Sequence, residues 1–286
     1  MTPTPSGPAP AGQAPAGPAR PAGPAPTSPL RTETRRALAL ARAEATLLLR
    51  NRTALFTALT MPLFFVVLFA ALPSGVTGPA AVTSLVTGSA LLFVVYYTLV
   101  TSVVARREQH TLKRLHTSPA RPATVLVGMA LPLLVLLVGQ VVLGLVAAGV
   151  LTGLGAPPRL GLLVPAVLLG GAVWSVLALV STVFTRSVES AQLSTMPLIL
   201  VALLFSGLSL PLGLLPGALQ VLAQLTPMFP VVDLVALAFT DVRVTAETVA
   251  GGALVRAVLV DGAVLLGWVA VGVALLRRQF RWEPRR

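Results

Sequence analysis

The sequence predicts an all-α membrane protein, with six transmembrane helices, an N-terminal interfacial helix and short re-entrant helices between spans five and six. Of its 286 residues, 55% are hydrophobic and only 10% are charged, whereas soluble domains are typically about 25% charged. Several uncharged stretches exceed the roughly 20 residues that a helix needs to cross a bilayer. This composition excludes a soluble globular enzyme, because the charges are too few to cover a water-facing surface. The apolar excess also excludes a wholly disordered chain.

The N-terminal region divides into a tail and a helix. Residues 1–29 are rich in Pro, Ala and Gly, a composition that predicts a disordered tail. Residues 30–52 consist mainly of strong helix formers. Four apolar residues of this segment recur at helical spacing: Leu38, Ala41, Ala45 and Leu48. We therefore predict an amphipathic helix at the membrane interface, with a soluble helix continuous with the first span as the alternative.

Gaps between charged residues locate the transmembrane spans of the domain 53–276. No charge lies between Arg52 and Arg106, and turn signals around Pro73 and Gly78 divide that gap into two spans. The six predicted spans lie near 53–72, 82–105, 123–151, 162–184, 196–215 and 255–276. Residues 277–286 form a basic tail.

Positive charge predicts the orientation of these spans. With both termini in the cytoplasm, just three of the 21 Lys and Arg residues face outward: Arg159, Arg243 and Arg256. This distribution follows the positive-inside rule. The net charge of +12 therefore reflects orientation, and no basic soluble domain suggests a nucleic-acid partner. The many Ala, Gly, Pro and Arg residues have GC-rich codons, which favours a bacterial source and hence the bacterial plasma membrane.

The sequence contains no recognisable catalytic, cofactor-binding or metal-binding motif. A P-loop requires Gly-Lys-Ser/Thr, but the only lysine, Lys113, lies between Leu112 and Arg114. His110 and His116 are six residues apart in one polar loop, a spacing that fits no usual zinc-ligand pattern. We interpret them as solvated, with a zinc site as the alternative.

Asp261 is the one ionisable residue predicted inside a span, and such residues are functional candidates. Arg256 lies about 140° around the same helix and is badly placed to pair with it. Asp261 therefore either serves substrate binding or gating, or bonds a neighbouring helix. Tyr96, Tyr97 and Trp174 either line a path for an amphipathic substrate or pack against other helices.

Two segments outside the spans carry more information. The charged loop 106–122 places Leu112 and Leu115 on one side of a short helix, which predicts a docking element for a soluble partner; a solvated loop is the alternative. The segment 206–233 is too apolar for an ordinary external loop, and four prolines divide it. We predict short helices that dip back into the membrane, with a distorted seventh span as the alternative.

These two segments resemble the permease subunit of type-2 ABC transporters, the class that exports drugs and polysaccharides. After its second span that family carries a stretch similar to Glu-x-x-Thr-Leu-x-x-Leu-x-x-Ser-Pro, and the residues that fit it here are Glu108, Thr111, Leu112, Leu115, Ser118 and Pro119. His110 stands where the family usually has glycine. The family's pattern after the fifth span matches Ser206, Gly207, Pro211, Leu215, Pro216, Pro227 and Asp233.

The resemblance implies a transport machine of several subunits. Two permease copies, identical or homologous, would form the membrane unit, and separate ABC ATPase subunits would bind ATP and Mg. The segment 106–119 would couple the ATPase to the spans, and the second set of residues would form a re-entrant outer gate. The implied cargo is an amphipathic, hydrophobic or lipid-like small molecule, as in drug efflux and antibiotic resistance.

Two other functions remain open on the residues alone. An ion-gradient-driven secondary exporter would depend on Asp261 without any ATPase. A membrane-embedded enzyme that modifies lipids would have to use Asp233, Asp241 and Glu247, which the topology places outside.

Overall fold

The computed structural model describes residues 29–50, 78–109, 122–153 and 157–279, together with a few single positions between 51 and 77. The predicted first span, the tail 1–28 and the tail 280–286 lie outside the described residues. The helices in the described ranges are α1 (Pro29–Arg50), α2 (Pro79–Glu108), α3 (Pro122–Thr152), α4 (Leu160–Ser181), α5 (Val188–Phe205), α6 (Gly217–Gln224), α7 (Phe229–Phe239) and α8 (Gly252–Gln279).

The described part of the chain is an all-α membrane protein, as predicted. Five of its helices are long and apolar enough to cross a membrane: α2, α3, α4, α5 and α8. They correspond in order to the second through sixth predicted spans. The charge gaps located them because a lipid-facing helix must exclude charge along its whole length.

The predicted boundaries of the fifth span were wrong. The sequence placed it near 196–215, but α5 runs over Val188–Phe205. The helix begins earlier because Ser187 and Ser190 form a capping box. The Ser187 hydroxyl accepts a hydrogen bond from the Ser190 backbone N–H, and the Ser190 hydroxyl accepts one from the Ser187 backbone N–H. The helix ends earlier because Gly207 adopts a left-handed φ of 79°.

Helix α1 packs along α3 and the adjoining end of α2. Its inward stripe includes Leu40 rather than the predicted Leu38, which is 51% exposed. Leu40 fits against Gly128, where an added Cβ would lie 2.9 Å from Leu40 Cδ2. Polar contacts join the same helices: Glu44 pairs with Arg106 at 2.5 Å, and Thr124 donates to a carboxylate of α1.

The centre of the bundle is formed by α2 and α4, whose most apolar stretches are 67% and 61% buried. The middle of α2, Ala90–Tyr97, is wound as a π-helix, and the Thr98 hydroxyl donates to the Phe93 carbonyl at 2.9 Å. By contrast, α5 and α8 are 22% and 17% buried. Their outer faces are therefore available to lipid or to another protein.

Between α5 and α8 the chain forms two short helices that pack against the bundle, an arrangement that fits either the predicted re-entrant helices or the alternative of a distorted span. Helices α6 and α7 meet at an angle of 88°. At the bend, Trp268 Nε1 donates to the Leu225 carbonyl at 2.9 Å. Trp268 lies sixteen residues into α8, or about 24 Å along its axis. The bend between α6 and α7 therefore lies deep in the bundle, far from the N-terminal end of α8.

The two ends of the bundle differ in charge. We call the end that holds Arg106, Arg186 and Arg277 the basic end. The other end, where the Arg159 backbone N–H donates to the Ala238 carbonyl at 2.7 Å, is called the opposite end.

Candidate functional site

Buried polar contacts fix the last turn of α2 at the basic end. The Arg107 guanidinium, 3% exposed, donates to the carbonyls of Thr182 and Thr185 in the α4–α5 turn. One residue further, Glu108 Oε1 accepts a hydrogen bond from the Val188 backbone N–H at 3.2 Å. A carboxylate at this position also complements the positive N-terminal end of α5. The end of α2 is therefore tied directly to α5.

Among the residues predicted to couple this chain to an ATPase, the structure describes Glu108. The other five lie outside the described residues: Thr111, Leu112, Leu115, Ser118 and Pro119. The contact of Glu108 shows which spans meet where that loop begins. That contact joins the end of α2 to the start of α5.

The predicted outer-gate residues shape the path from α5 to α7. The Ser206 hydroxyl accepts from the Leu208 backbone N–H at 3.2 Å. Gly207 has no room for a side chain, because an added Cβ would overlap Val244. Pro211 precedes a short 3₁₀ turn, Pro216 precedes α6, and Pro227 lies in the bend before α7. The chain changes direction at each proline, because proline has no backbone N–H and cannot continue a preceding helical turn.

Three charged residues meet in the interior near the opposite end, a group that we call the acidic cluster: Asp233, Arg243 and Asp261. Arg243 Nε donates to Asp233 Oδ2 at 2.7 Å. A second guanidinium nitrogen of Arg243 lies 3.3 Å and 3.4 Å from the two Asp261 oxygens. The Val244 backbone N–H donates to Asp233 Oδ1 at 2.7 Å. Asp233 and Asp261 are 0% and 1% exposed.

The acidic cluster ties three segments together: α7, the connection to α8, and α8 itself. Desolvation lowers the pKa of the Arg243 guanidinium, but the charges of Asp233 and then Asp261 outweigh it, so its pKa lies above the ordinary value. Arg243 therefore stays charged, and it also lies 5.8 Å over the ring of Phe229.

Sequence reasoning missed the role of Arg243, which it treated as one of three outward charges. The informative pattern was a buried aspartate with no cation on its own helix face, since such a group needs a partner from elsewhere. A tight turn positions Arg243: its N–H donates to the Glu247 carbonyl at 2.9 Å, and the Val249 N–H donates to the Asp241 carbonyl at 2.7 Å.

The predicted aromatic residues pack against each other in this structure. Tyr96 and Trp174 are fully buried, and their rings meet edge to face with centroids 5.5 Å apart. The Tyr96 hydroxyl bonds the Ser181 hydroxyl at 2.9 Å. Tyr97, the neighbouring residue, is half-buried. In this conformation the first two rings are inaccessible to a substrate.

The three acids considered for lipid chemistry lie near one turn but have different surroundings, and Glu247 lies close to Arg243 through its backbone carbonyl. Asp241 pairs with Arg159 at 2.7 Å in a half-exposed position, whereas Asp233 belongs to the buried acidic cluster. Within the described ranges, no group of three His, Cys, Asp or Glu residues is arranged to hold a metal ion.

Comparison with known proteins identifies the family of this chain. Residues 35–239, more than half of the chain, match the family model described as ABC-2 type transporter. The matched region runs from α1 to the end of α7 and so contains the Glu108 contact and Asp233. No curated protein matches the chain.

Proposed function

Because the chain belongs to the ABC-2 type transporter family, we propose that it is the membrane permease of an exporter driven by a separate ABC ATPase. The family is a transporter component and not itself an enzyme. The proposal adds a direction of transport, a partner that binds ATP and Mg, and a cargo that is amphipathic or hydrophobic. Drug efflux and antibiotic resistance are the physiological roles that fit such a cargo.

The observation that carries the proposal is the contact between Glu108 and the start of α5. The loop that follows Glu108 has the family's coupling pattern, and Arg107 anchors its base to the α4–α5 turn. A protein that pushes on this loop would therefore move α2 and α5 together. This is the mechanical connection that a permease without a nucleotide site of its own requires.

The proposal orients the basic end toward the cytoplasm of a bacterial plasma membrane. The positive-inside rule supports this orientation, and it places the coupling loop where a soluble ATPase can bind. Both termini are then cytoplasmic. The acidic cluster lies toward the outside in this orientation, and together with the α6–α7 segment it forms the proposed outer gate.

A second permease copy, identical or homologous, completes the unit in this proposal. The outer faces of α5 and α8 support it, since most of their apolar side chains are exposed in one chain. Leu193, Leu200 and Leu204 form such a row on α5, at 79%, 60% and 42% exposure. Cross-linking of cysteines introduced at these positions, in a chain that has no native cysteine, tests the contact directly.

ATP hydrolysis by the purified chain tests the division of labour. We expect none from the permease alone and hydrolysis from the complex that contains the ATPase. A control with the ATPase inactivated in its own nucleotide site identifies the source. Hydrolysis by the homogeneous permease alone would overturn the proposal.

A further inference from the structure

Helix α1 has one exposed face that carries basic and apolar residues and no exposed acid. Its exposed arginines are Arg35, Arg42 and Arg50. Two leucines lie among them, since Leu38 and Leu49 are 51% and 64% exposed. At about 100° of rotation per residue, the first two arginines and both leucines fall within about 60° of arc. We call this strip, together with Arg50, the basic face of α1.

Both acids of α1 are turned away from the basic face. Glu44 pairs with Arg106 of α2 at 2.5 Å. Glu33 bonds Arg36 and Thr124. By contrast, none of the three arginines of the basic face pairs with a carboxylate anywhere in the described ranges. The basic face therefore presents three positive charges that the described part of the chain does not neutralise.

Helix α1 lies beside the first turns of a span, at the basic end. Thr124, which bonds Glu33, is two residues into α3, and Gly128, which contacts Leu40, is six residues into it. At about 1.5 Å per residue, these contacts lie within roughly the first 10 Å of α3. The headgroup layer on each side of a bilayer is about 5–8 Å thick. The basic face therefore lies at the depth of the lipid headgroups and the adjoining acyl chains.

A strip that alternates arginine with leucine fits this boundary better than water or hydrocarbon alone. In water the leucines stay exposed, and in hydrocarbon the guanidinium groups lose their solvation without gaining a partner. At the boundary the leucines reach the acyl chains, while the arginine stems run along apolar surface and their guanidinium groups reach the phosphates. A guanidinium binds a phosphate through two parallel N–H···O bonds. The chemistry of the basic face is therefore that of a phospholipid-binding surface.

The absence of an exposed acid selects among phospholipids. A zwitterionic headgroup carries a cation beside its phosphate, and the arginines of the basic face repel that cation. An anionic headgroup such as that of phosphatidylglycerol carries no cation. Each arginine near an anionic surface strengthens binding about five-fold, so three arginines together predict a clear preference for anionic lipid.

We propose that the basic face of α1 binds anionic phospholipids of the membrane leaflet at the basic end. The guanidinium groups of Arg35, Arg42 and Arg50 bind the phosphates, and Leu38 and Leu49 contact the upper acyl chains. The site goes beyond the proposed function, because it requires neither an ATPase nor a direction of transport.

Quenching of a fluorophore on α1 by labelled lipids tests the proposal in the full chain. Because the chain has no cysteine, Ala43→Cys introduces a single labelling site on the exposed side of α1, next to Arg42. The labelled protein is placed in phosphatidylcholine nanodiscs that contain increasing fractions of one quencher lipid. The quencher is phosphatidylglycerol or phosphatidylcholine with the same nitroxide at the top of the acyl chain. We expect phosphatidylglycerol to reach half-maximal quenching at a mole fraction at least about ten-fold lower.

Two double variants that remove the same charge locate the site. Arg35→Gln with Arg42→Gln should bring the two quencher lipids to within about three-fold of each other, because two of the three charges are lost. Arg277→Gln with Arg278→Gln is the matched control, since both residues are exposed on α8 at the same end of the bundle. This control should keep the full preference. An equal loss of preference in both double variants would refute a site on α1, because the charge of the whole end would then be the cause.

Salt gives a test on the otherwise unaltered labelled chain. Raising the salt from 0.1 M to 1 M shortens the screening length from about 10 Å to about 3 Å, so the preference for phosphatidylglycerol should fall while quenching by phosphatidylcholine stays the same. Equal quenching by both lipids at 0.1 M would overturn the proposal. Absence of quenching by either lipid would also overturn it, because the basic face would then lie in water and fit an acidic protein surface instead.

Discussion

Arg243→Met removes the cation that lies between two buried carboxylates. Methionine matches the length of the aliphatic stem, so the change deletes charge and hydrogen bonds with little loss of packing. Asp233 keeps the backbone N–H of Val244 as a partner, but Asp261 loses its guanidinium. The Arg243 side chain is 11% exposed and the carboxylates are 0% and 2% exposed, so water can compensate little.

The expected cost follows from this burial. Removing one member of a buried ion pair typically destabilises a protein by about 3–5 kcal/mol, because the other charge is left uncompensated. With about 2–4 °C per kcal/mol for a chain of this size, the apparent melting temperature should fall by about 10 °C. Fluorescence-detected size-exclusion chromatography of the heated protein in detergent measures this fall.

Three comparisons make the prediction specific. Arg256→Met on the exposed face of α8 is the matched control and should leave the melting temperature unchanged. Asp233→Asn should cost more than Asp261→Asn, because the 2.7 Å contacts of Asp233 are shorter than the 3.3 Å and 3.4 Å contacts of Asp261. If Arg243→Met melts within about 2 °C of the wild type, the acidic cluster does not hold the outer segment in place.

The remaining predictions concern the turn after α5, the coupling contact and the aromatic pair. Gly207→Ala should lower the melting temperature, because its φ is 79° and the new Cβ overlaps Val244, whereas Gly213→Ala enters open space and should not. Glu108→Lys should abolish recovery of the ATPase with the tagged chain at normal protein level. Glu189→Lys, an exposed change at the same helix end, should retain the ATPase. Tyr96→Phe should cost about 1 kcal/mol in thermal unfolding, since it removes one buried hydrogen bond; an unchanged melting temperature would contradict that contact.

The spans were predictable because their cause is local. A helix in lipid must be apolar over its whole length, so Arg159 and Arg186 alone delimit α4. The start of α5 was missed because Ser187 and Ser190 act through a backbone conformation that a charge gap does not reveal. The inward face of α1 was predicted in large part: Ala41 is buried and Leu48 packs against the core, whereas Leu38 is exposed and Leu40 takes its place because α3 lies on that side.

The acidic cluster shows the limit of sequence reasoning more clearly. Asp233 and Asp261 are 28 residues apart and come together only because the chain turns back twice between α6 and α8. Asp261 could be recognised as a residue that needs a partner. That Arg243 supplies it depends on the tight turn before α8, whose geometry is a property of the folded chain.

The most direct test of the central claim is affinity purification of the tagged chain from its native membrane in mild detergent, followed by mass spectrometry. The exporter proposal predicts stoichiometric recovery of an ABC ATPase, with loss of that partner in Glu108→Lys. A folded, oligomeric chain recovered without any ATPase would contradict the proposal. An ion-gradient-driven exporter would then be favoured, and Asp261 would be the first residue to replace.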